Sequence, residues 1–433
     1  MLLTQAVRAC CWNSFGSSMA WSVPAAAGGF DLSRELAMRC LLLRWGSLER
    51  SPHVVTLANF LCREGCGVLV ATMESGYRPA NLSERVVLRT FGRGPATGIA
   101  KLFAPVRLAG EIRSLLRSQC PDVLWVIDSW TLPPVLLAMG GRPRRRGGVF
   151  VYHTFDWLDP MLNSPVHMWY EGYALRRADL AINVDRSRAR LHQTIYGLKD
   201  LPLWIPNYPS ASPGAVASDG DLRRVLGGSD ESVLVICPSL AAPQRLHLQL
   251  IEAFALLPAR YRLLTFGAES EYFDTCCDHV RSEGLEGRVR WLPSMPYQEL
   301  ERYLAVADIG VILHDWQRSS GYWMANADRM AHCLRFGMPV VASNVPNMEA
   351  LIYKWGLGAC CDPYDPSDIA RAIREVEEQP PGVDERRCNV QRAFKAELNF
   401  ERRGRILMER LEHLCSQGSV AGRELNPIRG GFP

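Results

Sequence analysis

Short apolar runs alternate with helix-like patterns along most of the chain. Unbroken runs of four or five apolar residues, such as 68–71 and 123–127, are typical of strands that are covered on both faces. Between them, stretches such as 102–116 repeat apolar residues at the spacing of one helix face. Strands that alternate with helices indicate βαβ units and a parallel sheet. The pattern therefore predicts an α/β protein.

The pattern occurs twice, on either side of a segment that has almost no large apolar residues. Residues 206–228 contain three prolines and four glycines, which indicates a linker or hinge. Each half repeats the alternation, so we predict two doubly wound domains. The predicted organisation is a weakly ordered extension over 1–38, an N-terminal domain over 39–209, a linker over 210–228, a C-terminal domain over 229–385, C-terminal helices over 386–415 that pack back toward the N-terminal domain, and a tail over 416–433.

Composition narrows the class of protein. Of the 433 residues, 48% are hydrophobic and 22% are charged, which excludes a disordered chain and a small disulfide scaffold. The net charge of +4 is too balanced to indicate nucleic acid as a partner. No apolar run approaches the roughly 18 residues that span a bilayer. The 14 cysteines show no zinc-type spacing, so we predict reduced thiols in a cytoplasmic protein without a metal.

The ends of the predicted strands are the first place to look for a site. Ligands of doubly wound domains bind beyond the carboxyl ends of the strands, and two facing domains place that site in a cleft. The residues that follow predicted strands therefore become candidates, and they include Gly46, Asp128, His153, Gly267 and the stretch 314–326.

His153 and Asp156 lie in the sequence YHTFDW, directly after a predicted strand. His153 could hydrogen-bond the substrate, and Asp156 could orient His153 or act as the base itself. The structural alternative for His153 is a buried histidine at the end of a strand. We take both as candidate catalytic residues, because catalytic groups concentrate in strand-end loops of α/β folds.

Several stretches resemble glycosyltransferases of the GT-B fold, and most closely the retaining, nucleotide-sugar-dependent enzymes of family 4. In the C-terminal half, the stretches that carry this resemblance are 242–257 (APQRLHLQLIEAFALL), 288–300 (RVRWLPSMPYQEL), 307–313 (ADIGVIL), 336–343 (FGMPVVAS) and 365–373 (DPSDIARAI). In the N-terminal half it is carried more weakly by 178–191 and 205–207. The resemblance covers about residues 39–415, and the order and spacing of the stretches are more specific than any one of them.

The resemblance implies two Rossmann-like, doubly wound domains that face each other across a cleft. It implies transfer of a sugar from a nucleotide-diphosphate sugar to an acceptor hydroxyl, with retention of configuration and without a metal or other cofactor. The expected partners are the nucleotide-sugar donor and a sugar, lipid-linked or small-molecule acceptor. Family members that act on lipid-linked acceptors use basic patches, so the basic run 142–146 allows peripheral contact with the inner face of a membrane, although a solvated loop is the simpler interpretation.

The resemblance also assigns residues to the donor side of the cleft. Arg245 stands where the family usually has a lysine that contacts phosphate, and its alternative is a solvated arginine at a helix start. The segment 319–327 opens a helix whose amides contact the diphosphate in the family, so Ser320, Gly321 and Asn326 become donor-binding candidates.

The chain departs from the family pattern at two glutamates of the donor-binding helix and at an arginine before the phosphate lysine, where it has Ser239 and Leu240. Where the family has two glutamates, eight positions apart, the chain has Met324 and His332. His332 could still hydrogen-bond a ribose hydroxyl, or it could be a helix histidine packed under the sheet. The pair Asp328-Arg329 resembles the Asn-Lys of one subgroup, so Arg329 joins the donor-binding candidates.

Three further candidates complete the predicted site. Gly267 follows a strand on the donor side, and Gly46 would let an acceptor approach the backbone closely, unless it is a plain turn. Glu349 aligns with a common family glutamate and could contact the donor, or could only favour a helix start. Because the two glutamates are missing, a non-catalytic binding protein of the same fold stays an alternative. A sugar-nucleotide 2-epimerase, which shares the fold but lacks the quoted stretches, is another.

Overall fold

The computed structural model describes residues 38–72, 77–91, 100–141, 148–160, 163–211, 220–229, 231–324, 328–380 and 382–423. The predicted N-terminal extension lies outside these residues, apart from its last position. The basic run 142–146, the candidate Asn326 and residues 212–219 of the predicted linker also lie outside them.

The N-terminal half of the described chain forms a parallel sheet of seven strands in the order β3-β2-β1-β4-β5-β6-β7. The strands are β1 (Arg39–Arg44), β2 (Gly67–Thr72), β3 (Val87–Thr90), β4 (Val123–Ile127), β5 (Val149–Thr154), β6 (Leu180–Asn183) and β7 (Leu203–Trp204). The helices are α1 (Pro52–Arg63), α2 (Ala100–Gln119), α3 (Leu132–Ala138), α4 (Pro165–Leu175) and α5 (Arg186–Tyr196). The strand order reverses between β1 and β4, which places the switch point of this sheet there.

The C-terminal half forms a second parallel sheet, whose six strands lie in the order β10-β9-β8-β11-β12-β13. The strands are β8 (Val233–Leu240), β9 (Tyr261–Phe266), β10 (Val289–Leu292), β11 (Ile309–Ile312), β12 (Val340–Ser343) and β13 (Gly358–Cys361). The helices are α6 (Gly220–Val225), α7 (His247–Ala255), α8 (Glu271–Ser282), α9 (Tyr297–Leu304), α10 (Ser320–Trp323), α11 (Asp328–Arg335), α12 (Pro346–Trp355), α13 (Pro366–Glu378), α14 (Gly382–Ala396) and α15 (Phe400–Arg423). Of these, α6 lies inside the segment predicted as a linker. Two α/β domains with parallel sheets confirm the predicted fold class.

The last helix crosses back to the N-terminal domain. Phe400, Leu407 and Leu411 of α15 are buried in the same hydrophobic cluster as Phe60 of α1, and the rings of Phe60 and Phe400 are 5.2 Å apart. The helix extends to Arg423, beyond the end near residue 414 that the amphipathic pattern predicts. None of the helices within the described residues is long and apolar enough to cross a bilayer.

A carboxyl group is buried inside the N-terminal domain, on the inner face of α4. Glu171 is 0% exposed and accepts hydrogen bonds from the hydroxyls of Tyr152, at 2.9 Å, and Tyr196, at 2.6 Å. Burial raises the pKa of Glu171 to about 7, against the lowering effect of these two hydrogen bonds.

We expect Glu171 to make folding stability depend on pH. The folded state binds the proton more tightly than the unfolded state, so stability falls as pH rises from about 4.5 through about 7. The loss amounts to about 3 kcal/mol. In Glu171→Gln this part of the pH dependence should vanish, which urea unfolding at pH 5 and pH 8 measures. Parallel pH profiles for the two proteins would contradict the assignment.

Candidate functional site

The carboxyl ends of the two sheets face each other across the domain boundary. The loop that follows β5 contacts the segment that follows β11, through hydrogen bonds from Trp157 to Ser320 and from Ser319 and Ser320 to Asp159. Beside this contact, the hydroxyl of Ser187, in α5, donates to Oδ1 of Asn347, in α12, at 3.2 Å. The candidate site is therefore the cleft between the strand ends of both domains.

Asp128 organises the N-terminal side of the cleft. It follows β4 directly and has a φ of 59°, a left-handed conformation that residues other than glycine seldom adopt. Its Oδ2 lies 2.6 Å from Nη1 of Arg44, and its Oδ1 accepts from the amides of Phe155, at 2.7 Å, and Asp156, at 3.0 Å. The buried carboxylate thereby fixes the loop after β5.

Asp156 is an exposed residue of the loop after β5, and the charges that act on its carboxyl group come from both domains, from Asp128 on one side and Asp328 on the other. The nearby charge of Asp128 and the loss of hydration together raise the pKa of Asp156 to about 6. The group is therefore mostly ionised at neutral pH and can still take up a proton there.

His153 does not reach the cleft surface. It is 1% exposed, its ring stacks on Phe155 at 4.1 Å, and neither ring nitrogen has a hydrogen-bond partner among the described residues. Burial lowers its pKa to about 3, so the imidazole is neutral. The structure therefore does not join His153 and Asp156 as a hydrogen-bonded pair, because the His153 ring packs in the core against Trp125 and Phe155.

Two arginines of the C-terminal domain, Arg245 and Arg329, lie within electrostatic reach of each other. Nη1 of Arg245 donates to Nδ1 of His314 at 2.5 Å, and its guanidinium lies 5.3 Å from the ring centre of Tyr322. Burial, and then the neighbouring charge of Arg329, lower the pKa of Arg245 to about 9. Within the described part of the chain, no carboxylate forms an ion pair with either guanidinium. The arrangement suits a ligand with several negative charges.

Asp328 and His332 lie beside this pair on α11. Burial opposes ionisation of Asp328, but the charge of Arg329 still holds the pKa of Asp328 below the usual value. His332 is 7% exposed, and its Nδ1 is hydrogen-bonded to the hydroxyl of Tyr297. Burial lowers the pKa of His332 to about 4. The ring is thus neutral and retains only Nε2 for a ligand.

The segment before α11 is docked against the N-terminal domain. The amide of Ser320 donates to Asp159 at 2.8 Å, the amide of Gly321 donates to Oγ of Ser319 at 3.1 Å, and the amide of Tyr322 donates to the carbonyl of Ser319 at 3.0 Å. Of the amides that the family resemblance assigns to the diphosphate, those of residues 320–322 are therefore already engaged in this conformation.

The remaining predicted residues lie at the edges of the site. Gly46 has a φ of 112° in the turn after β1, which favours glycine. Gly267 packs under Phe273, whose ring leaves no room for a Cβ atom. Glu349 is half-buried near β13. Burial raises the pKa of Cys360, and the charge of Glu349 raises it further. Within the described ranges, none of the three forms a hydrogen bond with Arg245.

Sequence reasoning missed several residues that the tertiary structure brings to the cleft. His53, at the start of α1, lies within electrostatic reach of Asp328 and His332 of the other domain, and burial lowers its pKa well below the usual value. Arg188 and Asp159 reach across to the segment before α11. No local pattern marks these residues, because their partners are more than 100 positions away in the chain. In the described ranges, no group of three or more His, Cys, Asp or Glu side chains could hold a metal ion.

Comparisons with known proteins agree with this geometry. The family described as Glycosyltransferase Family 4 matches residues 51–207, and the family described as Glycosyl transferases group 1 matches residues 220–395. The chain is 23% identical to the D-inositol 3-phosphate glycosyltransferase of Nocardioides sp. over 363 residues, which cover 75% of this chain and 77% of that protein.

Two solved structures share the fold. Anabaena HepE in complex with UDP and glucose has a TM-score of 0.70 and 18% identity, covering 87% of this chain and 100% of that one. Sucrose-phosphate synthase from Thermosynechococcus elongatus has a TM-score of 0.70 and 16% identity, covering 88% of this chain and 100% of that one. The likeness extends over both domains.

Proposed function

Because the chain is a GT-B glycosyltransferase that resembles glycosyltransferase family 4, we propose that it transfers a sugar from a nucleotide-diphosphate sugar to an acceptor hydroxyl. The observation that carries this proposal is the half-buried Arg245, which lies within electrostatic reach of Arg329 and forms no ion pair with a carboxylate among the described residues. A diphosphate would neutralise this pair, and UDP is the ligand named for the HepE structure.

The two guanidiniums also support a reaction that needs no metal ion. The charge on the leaving diphosphate must be stabilised as the glycosidic bond breaks, and Arg245 and Arg329 would supply that stabilisation in place of a cation. Retention of configuration is proposed from the resemblance to family 4 alone.

Asp156 is the group that we assign to the acceptor side. Its exposed carboxyl group, with a pKa of about 6, is available at neutral pH to accept the proton of an attacking hydroxyl. Asp128 and Arg44 hold the loop that carries it. His153 would support this loop from beneath through its stacking on Phe155.

A panel of nucleotides and sugar nucleotides tests the proposed reaction. One of UDP, GDP and ADP at millimolar concentration should raise the melting temperature, since a ligand that binds only the folded state stabilises it. The matching nucleotide sugar should be hydrolysed slowly in the absence of an acceptor. A protein that neither is stabilised by any of the three nor hydrolyses a nucleotide sugar would not be a sugar transferase of this kind.

Contact with a membrane surface belongs to the same proposal, and the solvent face of α4 supports it. Val166 is 67% exposed and Trp169 is 64% exposed, and they share one helix face with Tyr173. Trp130, 52% exposed, packs edge-to-face on His167 of this helix. The outer face of α4 is thus apolar and aromatic, as is typical of side chains at the level of lipid headgroups.

Arginines at the end of this face would attract anionic lipid. Arg176 and Arg177 are exposed, and the guanidinium of Arg177 lies 3.7 Å from the ring centre of Tyr173.

We expect co-sedimentation with vesicles that contain phosphatidylglycerol, and Trp169→Ala should reduce the bound fraction severalfold. Tyr353→Ala, at an exposed aromatic of the other domain, serves as the matched control. Equal binding by all three proteins, or none by the unmodified protein, would remove this part of the proposal.

A further inference from the structure

The N-terminal domain forms several hydrogen bonds with one short segment of the C-terminal domain. Asp159, which is 4% exposed, accepts three hydrogen bonds on Oδ2: from Oγ of Ser319 at 3.0 Å, from the amide of Ser320 at 2.8 Å and from Oγ of Ser320 at 2.9 Å. A buried carboxylate is stable only where such donors replace water. The contact therefore exists when the two domains are closed on each other.

Two neighbouring side chains, Trp157 and Arg188, complete this contact. We name the hydrogen bonds of Trp157, Asp159 and Arg188 with residues 319–321 the interdomain clasp. Nε1 of Trp157 donates to Oγ of Ser320 at 3.0 Å, and Nη2 of Arg188 donates to the carbonyl of Gly321 at 2.8 Å. A Cβ atom on Gly321 would lie 2.7 Å from Cδ1 of Trp157. The segment thus has little freedom to move while the clasp is closed.

The clasp leads directly to the arginine of the proposed donor site. Tyr322 belongs to the short helix α10 that begins at Ser320, and its ring stacks on His314 with 5.2 Å between ring centres. The guanidinium of Arg245 lies against the same tyrosine ring and donates to His314. A shift of α10 would therefore move the aromatic surface on which Arg245 rests.

We propose that Asp159 is a positioning residue for the donor: through Ser319 and Ser320 it holds Tyr322 against Arg245, and so couples closure of the domains to binding of the diphosphate. This inference rests on the proposed function. Asp159 itself touches neither substrate; it acts through α10. Nucleotide binding then favours the closed clasp, and a closed clasp favours nucleotide binding to the same extent.

Asp159→Ala tests the coupling, with Asp200→Ala, at an exposed carboxylate of the same domain, as the matched control. We expect Asp159→Ala to weaken binding of the nucleoside diphosphate about tenfold by calorimetry, because it removes hydrogen bonds to a charged group. The KM for the sugar nucleotide should rise more than kcat falls. Amide hydrogen exchange over residues 320–323 should become faster. Asp200→Ala should match the unmodified protein in all three measurements.

If Asp159→Ala folds poorly, Ser320→Ala tests the same coupling. It removes two hydrogen bonds of the interdomain clasp by a substitution in the C-terminal domain. Its effect and that of Asp159→Ala should be less than additive in the double variant. Unchanged or tighter nucleotide binding by Asp159→Ala would overturn the inference; tighter binding would mean that the carboxylate competes with the diphosphate. Absence of any nucleotide binding by the unmodified protein would instead overturn the proposed function, and this inference with it.

Discussion

Arg245→Ala is expected to weaken binding of the nucleoside diphosphate at least about 100-fold, because a charge-assisted contact to phosphate is lost from a half-buried site. Arg329 alone would remain to oppose the charge of the ligand. Arg245→Lys should recover part of the affinity, since it restores the charge without the planar fork that can hold two phosphate oxygens. Calorimetric titration with the nucleotide that gives the largest thermal shift measures the effect.

Arg290→Ala is the control for this experiment. Arg290 is an exposed arginine of β10 in the same domain, so its removal changes the net charge equally and should leave the affinity unchanged. Should Arg245→Ala bind the nucleotide as tightly as the control does, the assignment of the diphosphate to this cleft would be wrong.

Asp156→Asn is expected to reduce kcat by about 100-fold or more while nucleotide binding is retained, since positioned proton transfer commonly contributes roughly 10²–10⁴-fold. The unmodified enzyme should lose activity as pH falls through about 6, because protonation of the Asp156 carboxylate removes the base. This acidic limb should be absent from the residual activity of Asp156→Asn.

The pH profile distinguishes a base from a merely structural carboxylate. Asp200→Asn, which removes the charge of an exposed carboxylate in the same domain, should keep both the rate and the acidic limb. A limb that persists unchanged in Asp156→Asn would assign the titration to another group, and the leaving diphosphate would then be the better candidate for accepting the proton.

The architecture could be predicted from the sequence because its strands are short, apolar on both faces and regularly spaced. Runs such as those of β1 and β4 are buried along most or all of their length, so nearly every residue of the run carries the signal. Elements with little apolar surface were not predicted. β13 reads Gly-Ala-Cys-Cys, and α8 buries only Cys276 and Val280. Such elements are stabilised by contacts with neighbouring elements, and their own sequences carry no hydrophobic pattern that would predict them.

The candidate site rests partly on the sequence and partly on the tertiary structure. The rule that ligands bind beyond strand ends led to Asp156, and the family resemblance led to Arg245; the roles of both stay predictions. The strand-end rule also selected His153, whose ring is turned into the core under Phe155. A strand end marks where a residue lies along the chain, but the side of the sheet that its side chain occupies depends on the register of β5 with its neighbours.

By itself, the sequence determined the two parallel sheets, the family resemblance and the strand ends that border the cleft, because these follow from local periodicity and from motifs within single segments. Only the tertiary structure decided which side chains meet across the cleft. It joined Asp159 to Ser320 by hydrogen bonds, placed His53 near His332 and left Arg245 without an ion pair among the described residues. These contacts join residues of different domains, and the free energy of burying such charges depends on the partner that folding supplies.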